Sequence, residues 1–542
     1  MQQPNVRESQ ANYGGIQLKN LFAIVSLSLL CVLGVAFPSY ARSPANRQPI
    51  PKQYFGLVAT QDASFPLQLP YGQWRSWDMN YMAWPNMEIC QAQSSSQTDP
   101  CFNWLWLDKQ LTSTLQQGVN ETLYTLSRSP VWSVNLATDP DGQNGTACNY
   151  YQAPGIVPGQ APGQCLMPVD LNADGSGTNQ IWKNWVTAIA THVNDPTYRQ
   201  THSHIHMWEP WNEFYRSDVL ASSVGNPSFE GTFAQLVRLT EDLRCIVTGK
   251  GRIHNYPSAG QITVCTQHAI DSTAVISSPS TGQYDQQAAV LENFLYCNGT
   301  GTHAPKTGSM CTTGTGGSDA IDVINYHLYA GPVTPELVMS KQLPNALSML
   351  QPVDQAKTLI SGEGSWGDVT VPSTIWLDPY AQAGFIPRFF ALYWSNNVTQ
   401  NYWYSYDGDG RTGGITDGTQ LLHPQGDAWM QTYNWLAGST PDNATFCLLA
   451  GTVYTCDFTK SNGQKAELVW DSQYGQDCST MNVPIVCGAT PYTVPTAYSK
   501  DWIDLVGASH KFENPVMIGA NPILLESDSQ PAPPTGLQAS VK

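Results

Sequence analysis

His206-Met207-Trp208-Glu209-Pro210-Trp211-Asn212-Glu213-Phe214 decides how the rest of this chain is read. It has the form of the end of a buried strand that delivers a carboxylic acid, with an amide beside it, into an aromatic-walled cleft. Short β-rich runs of the same kind recur on both sides of it. They predict strands at Tyr54–Ala59, Gly72–Trp77, Glu121–Leu126, His204–Glu209, Thr273–Ser278, Ala320–His327, Thr358–Gly362 and Gln400–Ser405. Amphipathic helical patterns fall between them at Trp104–Gln117, Ile181–Val193, Phe233–Val247, Gln286–Tyr296, Pro335–Leu350 and Ala381–Trp394, and Pro424–Leu436 follows the last strand. Eight β/α alternations predict an α/β fold, a closed (β/α)8 TIM barrel. An open doubly wound sheet is the alternative, because pattern alone does not prove closure. No glycine-rich phosphate loop follows the first strand, which weighs against a dinucleotide-binding sheet.

From Thr445 onward the period shortens. Thr452–Phe458, Lys465–Trp470, Thr493–Ala497, Trp502–Asp504, His510–Phe512 and Pro515–Ile518 read as short strands separated by turn residues, a small C-terminal β-sandwich packed on the barrel. The expected division is residues 1–41 signal peptide, 42–52 linker, 53–440 catalytic barrel, 441–526 β-sandwich and 527–542 Pro/Ser-rich tail. The leader is read from Arg7 and Lys19 ahead of the apolar run Leu21–Phe37, with Ser39-Tyr40-Ala41 as the cleavage pattern. An uncleaved anchor is the alternative, against which stand the shortness of the run and its Ser26, Ser28 and Gly34.

The chain's 542 residues carry 25 Lys+Arg against 42 Asp+Glu, a net charge of −17 with no basic stripe, so nucleic acid is excluded as a partner. Eighteen Trp and 25 Tyr exclude a disordered chain. Thirteen Cys are present, and Cys31 falls within the leader. The rest group as sequence neighbours and predict six loop-stapling disulfides: Cys90 with Cys101, Cys148 with Cys165, Cys245 with Cys265, Cys297 with Cys311, Cys447 with Cys456, and Cys478 with Cys487. The absence of any CxxC weighs against zinc. Export to the cell surface, periplasm or medium follows from both leader and disulfides, with no stable membrane insertion once the leader is removed.

Residues at the C-terminal ends of barrel strands share one site. Glu213 closes the fourth predicted strand and Glu363, in Ser361-Gly362-Glu363-Gly364-Ser365-Trp366, closes the seventh across the barrel mouth. Flanking Gly362 and Gly364 leave room for close approach. Two facing carboxyls are what glycosidic bond cleavage requires: one protonates the leaving oxygen and the other acts from the opposite side of the sugar.

These motifs resemble clan A of the glycoside hydrolases, and most of all family 39, the β-xylosidase and α-L-iduronidase group. Its fourth strand reads Glu-x-Trp-Asn-Glu, matched by Glu209-Pro210-Trp211-Asn212-Glu213. Its Arg-x-Trp-Asp and later Trp are matched by Arg75-Ser76-Trp77-Asp78 and Trp84. Leu123–Trp132 is similar to its third-strand segment, and His327-Leu328-Tyr329 to its sixth-strand His-x-Tyr. Phe214 stands where the family has Pro after the acid. The resemblance implies a retaining O-glycoside hydrolase acting on a poly- or oligosaccharide without a cofactor. Glu213 would be acid/base and Glu363 nucleophile. Asn212 would bind the 2-hydroxyl, and Arg75 and Tyr329 would orient Glu363. Trp403 would stack on the sugar, His327 would bond the substrate or Glu363, and Asp78, Trp84 and Trp366 would line the substrate site. Glu209 would be buried and structural.

Two other classes remain in view. One is a carbohydrate-binding barrel without catalysis. The other is a metal-dependent hydrolase, because His202, His204 and His206 alternate along one strand, a spacing compatible with zinc. No acidic partner motif accompanies them, so no metal ligand is assigned. Asp407-Gly408-Asp409-Gly410 is a turn or a calcium loop, and lacks the rest of an EF-hand.

Overall fold

Eight parallel strands line up around one axis: β1 (Phe55–Val58), β2 (Gln73–Ser76), β3 (Glu121–Thr125), β4 (His204–Glu209), β5 (Val275–Ile276), β6 (Val323–His327), β7 (Thr358–Gly364) and β8 (Val398–Tyr404). Their hydrogen-bonded order is β5-β4-β3-β2-β1-β8-β7-β6, and parallel bridges Ser277–Val323 and Thr281–Tyr326 join the two ends. The ring is therefore a barrel and not an open sheet. The structure is a computed structural model that describes residues 47–61, 64–77, 79–138, 163–214, 229–254, 262–281, 285–296, 316–329, 334–365, 379–407, 413–416, 421–474, 490–498 and 501–527.

The barrel interior is layered by chemistry. Val58, Leu123, Met207, Val323, Ile360 and Tyr402, with Val275 at their edge, form an apolar cluster drawn from seven of the eight strands. β2 contributes polar Gln73 and Arg75 instead, both buried. Tyr402 donates to Gln73 Oε1, which satisfies one of these groups. Arg75 lies one layer nearer the C-terminal mouth. Outside the ring, the intervening residues Trp74, Tyr124, Trp208, Ile324 and Leu359 belong to the larger core beneath the helices. Alternation of the two faces is what a strand's two-residue period requires.

The helices Leu105–Gln116, Gln180–Val193, Phe233–Thr248, Asp285–Tyr296, Pro379–Ser395 and Pro424–Leu436 cover this core. Phe233–Thr248 has unambiguous ends: Thr232 and Gln235 form a reciprocal capping box, and Gly249 closes the helix in the left-handed region. The expected continuous helix Pro335–Leu350 is instead interrupted by a π-turn, Val338–Gln342, before Leu343–Ser348. Pro344 lies directly after that turn and has no N–H to give an α-type bond, which explains the break.

The C-terminal region is antiparallel throughout. β9 (Thr440–Pro441), β10 (Cys447–Ala450), β11 (Val453–Thr459), β12 (Lys465–Asp471), β14 (Asp501–Ile503), β15 (Ser509–Lys511) and β17 (Ile523–Glu526) form one sheet, while β13 (Thr490–Tyr492) pairs with β16 (Val516–Ile518). Val469, Trp502, Ile523 and Leu525 of the large sheet meet Val494, Val516 and Ile518 in a separate small core. Its opposite face, with Phe458, Leu468 and Trp470, joins the barrel's own core. Trp470 Nε1 donates to Glu336 at 2.8 Å, and Glu336 is paired with buried Arg388 at 2.7 Å. The strand expected at Thr493–Ala497 lies three residues earlier, because Val494 leaves the ladder to accept a backbone bond from Asn514 Nδ2. β9, β10 and β17 have no counterpart in the sequence reading. Exposed Leu448, Leu449 and Ala450 spoil the alternation of β10, and the Pro/Ser tail drew the reading past β17.

Disulfides Cys90–Cys101, Cys245–Cys265 and Cys447–Cys456 are formed. Cys165 is also disulfide-bonded. Cys148, Cys297, Cys311, Cys478 and Cys487 lie outside the described residues, as do residues 1–46, where the leader is expected, and 528–542. Among the described residues no helix is long and apolar enough to cross a membrane.

Glu88 and Glu467 are buried acids with neutral partners among the described residues. Burial pushes Glu88 up to about 7, opposed by bonds from Trp84 Nε1 and the Ala92 amide. Burial likewise pushes Glu467 up to about 7, against a bond from Tyr492 and with help from neighbouring Asp457. A folded-state pKa above the unfolded value means the stabilisation is fully present below about pH 4.5 and disappears as pH rises through 7. Each shift is worth on the order of 3 kcal/mol. The melting temperature is therefore expected to fall between pH 5 and pH 8. Glu467→Gln should flatten that fall, and calorimetry across the range checks it; an unchanged slope in the variant contradicts the assignment.

Candidate active site

The C-terminal end of β4 does not simply stop at Glu209. The chain continues through Pro210 and Trp211, and Glu213 takes a left-handed backbone, φ 41°. That conformation is costly for a residue with a Cβ and is held by the surroundings. The Glu213 amide donates to Ser280 Oγ at 3.0 Å, and the Ser280 amide donates to Glu209 Oε1 at 3.1 Å. Phe214, in the place of the resemblance's Pro, is fully buried with its ring against Phe233 and Phe294. An apolar anchor thus holds the chain immediately beyond the acid.

Glu363 arrives on β7 between glycines that are sterically required. A Cβ at Gly362 would lie 2.4 Å from Asn325 Oδ1, and one at Gly364 would lie 2.9 Å from the Leu328 carbonyl. Asn325 Oδ1 also accepts the Gly362 amide at 2.8 Å, fixing this strand against β6.

One guanidinium organises the layer. Arg75 Nη1 donates to Glu363 Oε1 at 2.5 Å, and its Nε and Nη2 donate to Glu209 Oε2 at 3.0 and 2.8 Å. Nη2 also reaches Asn212 Oδ1 at 2.6 Å. Burial opposes the charge on Arg75, but Glu209 and Glu363 more than offset it and hold the group protonated. Glu209 is fully buried and also accepts from Thr125 Oγ1 at 2.6 Å, so it is a brace and not a second acid for chemistry. Tyr329 donates to Glu363 Oε2 at 2.6 Å. Burial, with Glu363 beside it, raises the Tyr329 phenol well above its usual range, so it remains a donor.

His327 does more than the sequence reading gave it. Its Nδ1 lies 2.8 Å from Glu213 Oε1 and 3.4 Å from Glu363 Oε2, so it stands between both carboxyls. Its side chain is wholly buried, while that of Glu213 is 12 % exposed. One oxygen of Glu213, one of Glu363 and a ring nitrogen of His327 all lie within 4.8 Å of one another. Three such atoms have the makings of a cation site. However, Arg75 and Tyr329 already occupy both oxygens of Glu363, and the guanidinium charge opposes a divalent ion there.

The other expected positions divide. Asn212 is in the network, its oxygen also accepting from Ser280 Oγ at 3.3 Å. Trp403 is 0 % exposed, its indole donates to the Gly413 carbonyl at 2.9 Å, and its ring meets the edge of Phe389. It is a wall of the mouth and does not present an open face. Trp84 is packed on Trp182 and Trp185 and donates to Glu88 at 2.6 Å, none of which belongs to the carboxylate network. Asp78 and Trp366 lie outside the described residues.

Among the described residues the histidine strand forms no metal-ligating group. A bulge falls at His206, since Thr122 pairs with Ile205 and Leu123 with Met207, and the His204 and His206 rings lie 5.6 Å apart. His202 is stacked on Tyr198, and His204 is bonded to Asp271 at 2.7 Å. Asp407 collects the Thr60 and Gln61 amides at 2.6 and 2.8 Å and the Thr60 hydroxyl at 2.9 Å, which is a clasp between the loops after β8 and β1. Asp409 lies outside the described residues. Residues the sequence reading missed are Ser280, Thr125 and Asn325, neutral side chains that hold the charged ones. The only signal for Ser280 was the serine-rich end of the fifth strand.

No protein-family model matches the chain, and no curated protein matches it. Among solved structures it is similar to a glucosidase from Croceicoccus marinus, with TM-score 0.51 and 11 % identity over 88 % of this chain and 97 % of that one. A family GH30 endoxylanase from Clostridium papyrosolvens aligns with TM-score 0.46 and 8 % identity over 89 % and 98 %. A family 44 xyloglucanase from Paenibacillus polymyxa aligns with TM-score 0.45 and 13 % identity over 89 % and 97 %. At such identities the likeness to the glucosidase is one of fold.

Proposed function

We propose that this chain is a secreted retaining glycoside hydrolase of clan A, with the strand motifs of family 39, and that it cleaves O-glycosidic bonds of a poly- or oligosaccharide by double displacement. The observation that carries the reading is the approach of Glu213 and Glu363, an oxygen of each within 4.8 Å. Retaining enzymes hold their carboxyls about 5–5.5 Å apart, whereas inverting ones leave about 6.5–9.5 Å for a water. Arg75 and Tyr329 keep Glu363 anionic and aimed, as a nucleophile requires. Glu213 sits nearer solvent than Glu363, its side chain 12 % exposed, on the side where a leaving group departs.

In the first step Glu363 attacks the anomeric carbon, the glycosidic C–O bond breaks, and the Glu213 proton passes to the leaving oxygen. Glu213 is then a carboxylate, and the His327 Nδ1–H donates to it. In the second step Glu213 takes a proton from water, which displaces Glu363 from the anomeric carbon. Asn212 binds the 2-hydroxyl. Residues 1–41 serve as the export leader, and residues 441–526 brace the barrel.

Proton NMR of the first-formed product from an aryl glycoside tests the stereochemistry, and the expected result is the anomer of the substrate. With azide, the Glu213→Ala protein should release a glycosyl azide of retained configuration and the Glu363→Ala protein one of inverted configuration. Inversion by the wild type sinks the proposal. A barrel that only binds carbohydrate would release no product.

A further inference from the structure

Between β2 and the helix Leu105–Gln116 the chain carries an aromatic platform that the proposed chemistry does not use. Just beyond Arg75 comes Trp77, whose ring centroid lies 5.7 Å from the Arg75 guanidinium. A single 3₁₀ turn, Asn80–Met82, follows. Met79 and Met82 are buried, while Tyr81 between them is 39 % exposed. The Tyr81 ring stacks on Trp106, in the first turn of the helix, with centroids 5.0 Å apart and planes 17° apart. Lys109, one turn further along, holds its Nζ 4.5 Å from the Trp106 ring centroid.

Three observations mark Tyr81 as a platform for a ligand. Trp106 covers one of its faces, so the exposed area is the other face and the hydroxyl edge. A large ring left in water on one face forgoes burial that a bound apolar surface would supply. The ring is also held still. The Met82 amide donates to the Met79 carbonyl at 3.1 Å, and the Tyr124 hydroxyl donates to the Met82 carbonyl at 2.6 Å, which ties the turn to β3. Further along, the Cys90–Cys101 disulfide and the antiparallel bridge between Glu88 and Phe102 staple the same loop. A ring fixed in advance loses little freedom when it binds. Last, this loop follows β2, so Tyr81 stands at the C-terminal end of the barrel, the end where Glu213 and Glu363 meet.

Resting on the glycosidase reading, we propose that Tyr81, backed by Trp106, is a remote subsite that stacks on a neutral pyranose ring of the same glycan chain that is cut at Glu213 and Glu363. A pyranose presents C–H groups on a face and hydroxyls around its rim. The flat face of Tyr81 takes the C–H groups, and the hydroxyls stay in water. Trp106 already lies under Tyr81 and beside the Lys109 ammonium, so Tyr81 is the ring that receives the sugar. A stable protein partner would cover about 800 Å² of this chain, far more than one tyrosine face offers. The substrate is then a chain of several sugar residues, gripped here by ring shape and not by charge.

The test titrates the Glu213→Gln protein by calorimetry with cellohexaose, xylohexaose, mannohexaose and laminarihexaose, and with the nitrophenyl monoglycoside of each series. At least one hexaose is expected to bind. Adding Tyr81→Ala should weaken that hexaose by about 5- to 10-fold and its monoglycoside by less than about twofold. Adding Tyr81→Phe instead, which keeps the ring, should leave the hexaose within about twofold of its original affinity. In the otherwise wild-type enzyme, Tyr81→Ala should raise KM for the hexaose by a similar factor and move kcat by less than about twofold, the mark of binding remote from the reacting bond. A merely structural Tyr81 would weaken hexaose and monoglycoside alike, and that result overturns the proposal. So does binding of none of the hexaoses, or an unchanged hexaose affinity in Tyr81→Ala. If the ring instead joins two copies of the chain, sedimentation will show Tyr81→Ala converting dimer to monomer at unchanged hexaose affinity, which also overturns it. Failure of the glycosidase reading leaves every hexaose uncleaved by the wild type while Tyr81-dependent binding persists. Failure of the platform leaves cleavage intact and KM unmoved by Tyr81→Ala.

Discussion

Glu363→Ala is expected to lower kcat by at least about 10⁴-fold on any glycoside, since it removes the group that forms the covalent bond. The loss should not depend on the leaving group. Glu213→Ala should behave differently. With a natural sugar leaving group the loss is about 10²–10⁴-fold, the usual contribution of a general acid. With a dinitrophenyl leaving group, which departs without a proton, the first step should be nearly normal and the second slow. A pre-steady-state burst of dinitrophenol, equal to the enzyme concentration, is the expected signature in Glu213→Ala and is absent in Glu363→Ala. The roles are proposed in this order because Glu363 carries both Arg75 and Tyr329, at 2.5 and 2.6 Å, while Glu213 carries the imidazole of His327. A burst in the Glu363 variant, or full activity there, reverses or removes the assignment.

The parts of this arrangement that the sequence disclosed are those governed by local pattern. All eight barrel strands fall within the runs expected or overlap them, because most are short β-rich runs bounded by turn residues and, from the second onward, set off by helix-period stretches. Glu213 and Glu363 were legible because strand ends point to one site. What sequence could not disclose is set by long-range packing. His327 lies 114 positions from Glu213, and only the closed barrel shows that it bonds to that acid as well as facing Glu363. Trp403 was assigned a sugar-stacking role from its place at a strand end, yet an aromatic there can equally turn its face to Phe389 and its N–H to Gly413. Ser280 and Thr125 escaped notice because a neutral hydroxyl has no pattern of its own; its role appears only when a carboxylate lies within bonding distance.

Arg75→Met is expected to be the most damaging single change to the folded protein, costing about 3–5 kcal/mol. The side chain is fully buried and bonded to two carboxylates and an amide, so removing it takes away the cation that Glu209 and Glu363 share. Glu209 is the more serious case, because it is 0 % exposed and no water reaches it. Activity should fall with stability, but the two effects separate on repair. Adding Glu209→Gln to Arg75→Met removes one orphaned charge and should recover about half of the lost stability, while leaving Glu363 without its ion pair and the activity still low. Urea denaturation of the four proteins in that cycle measures the coupling directly, and kcat on an aryl glycoside measures the rest. Additive losses with no coupling between positions 75 and 209 would mean that Arg75 acts through packing alone. Arg75→Lys supplies the remaining distinction: the charge returns but the fork that spans Glu209, Asn212 and Glu363 does not. Stability should then return in larger part than activity, because holding a charge in the core needs only a cation, whereas aiming a nucleophile needs the geometry of the fork.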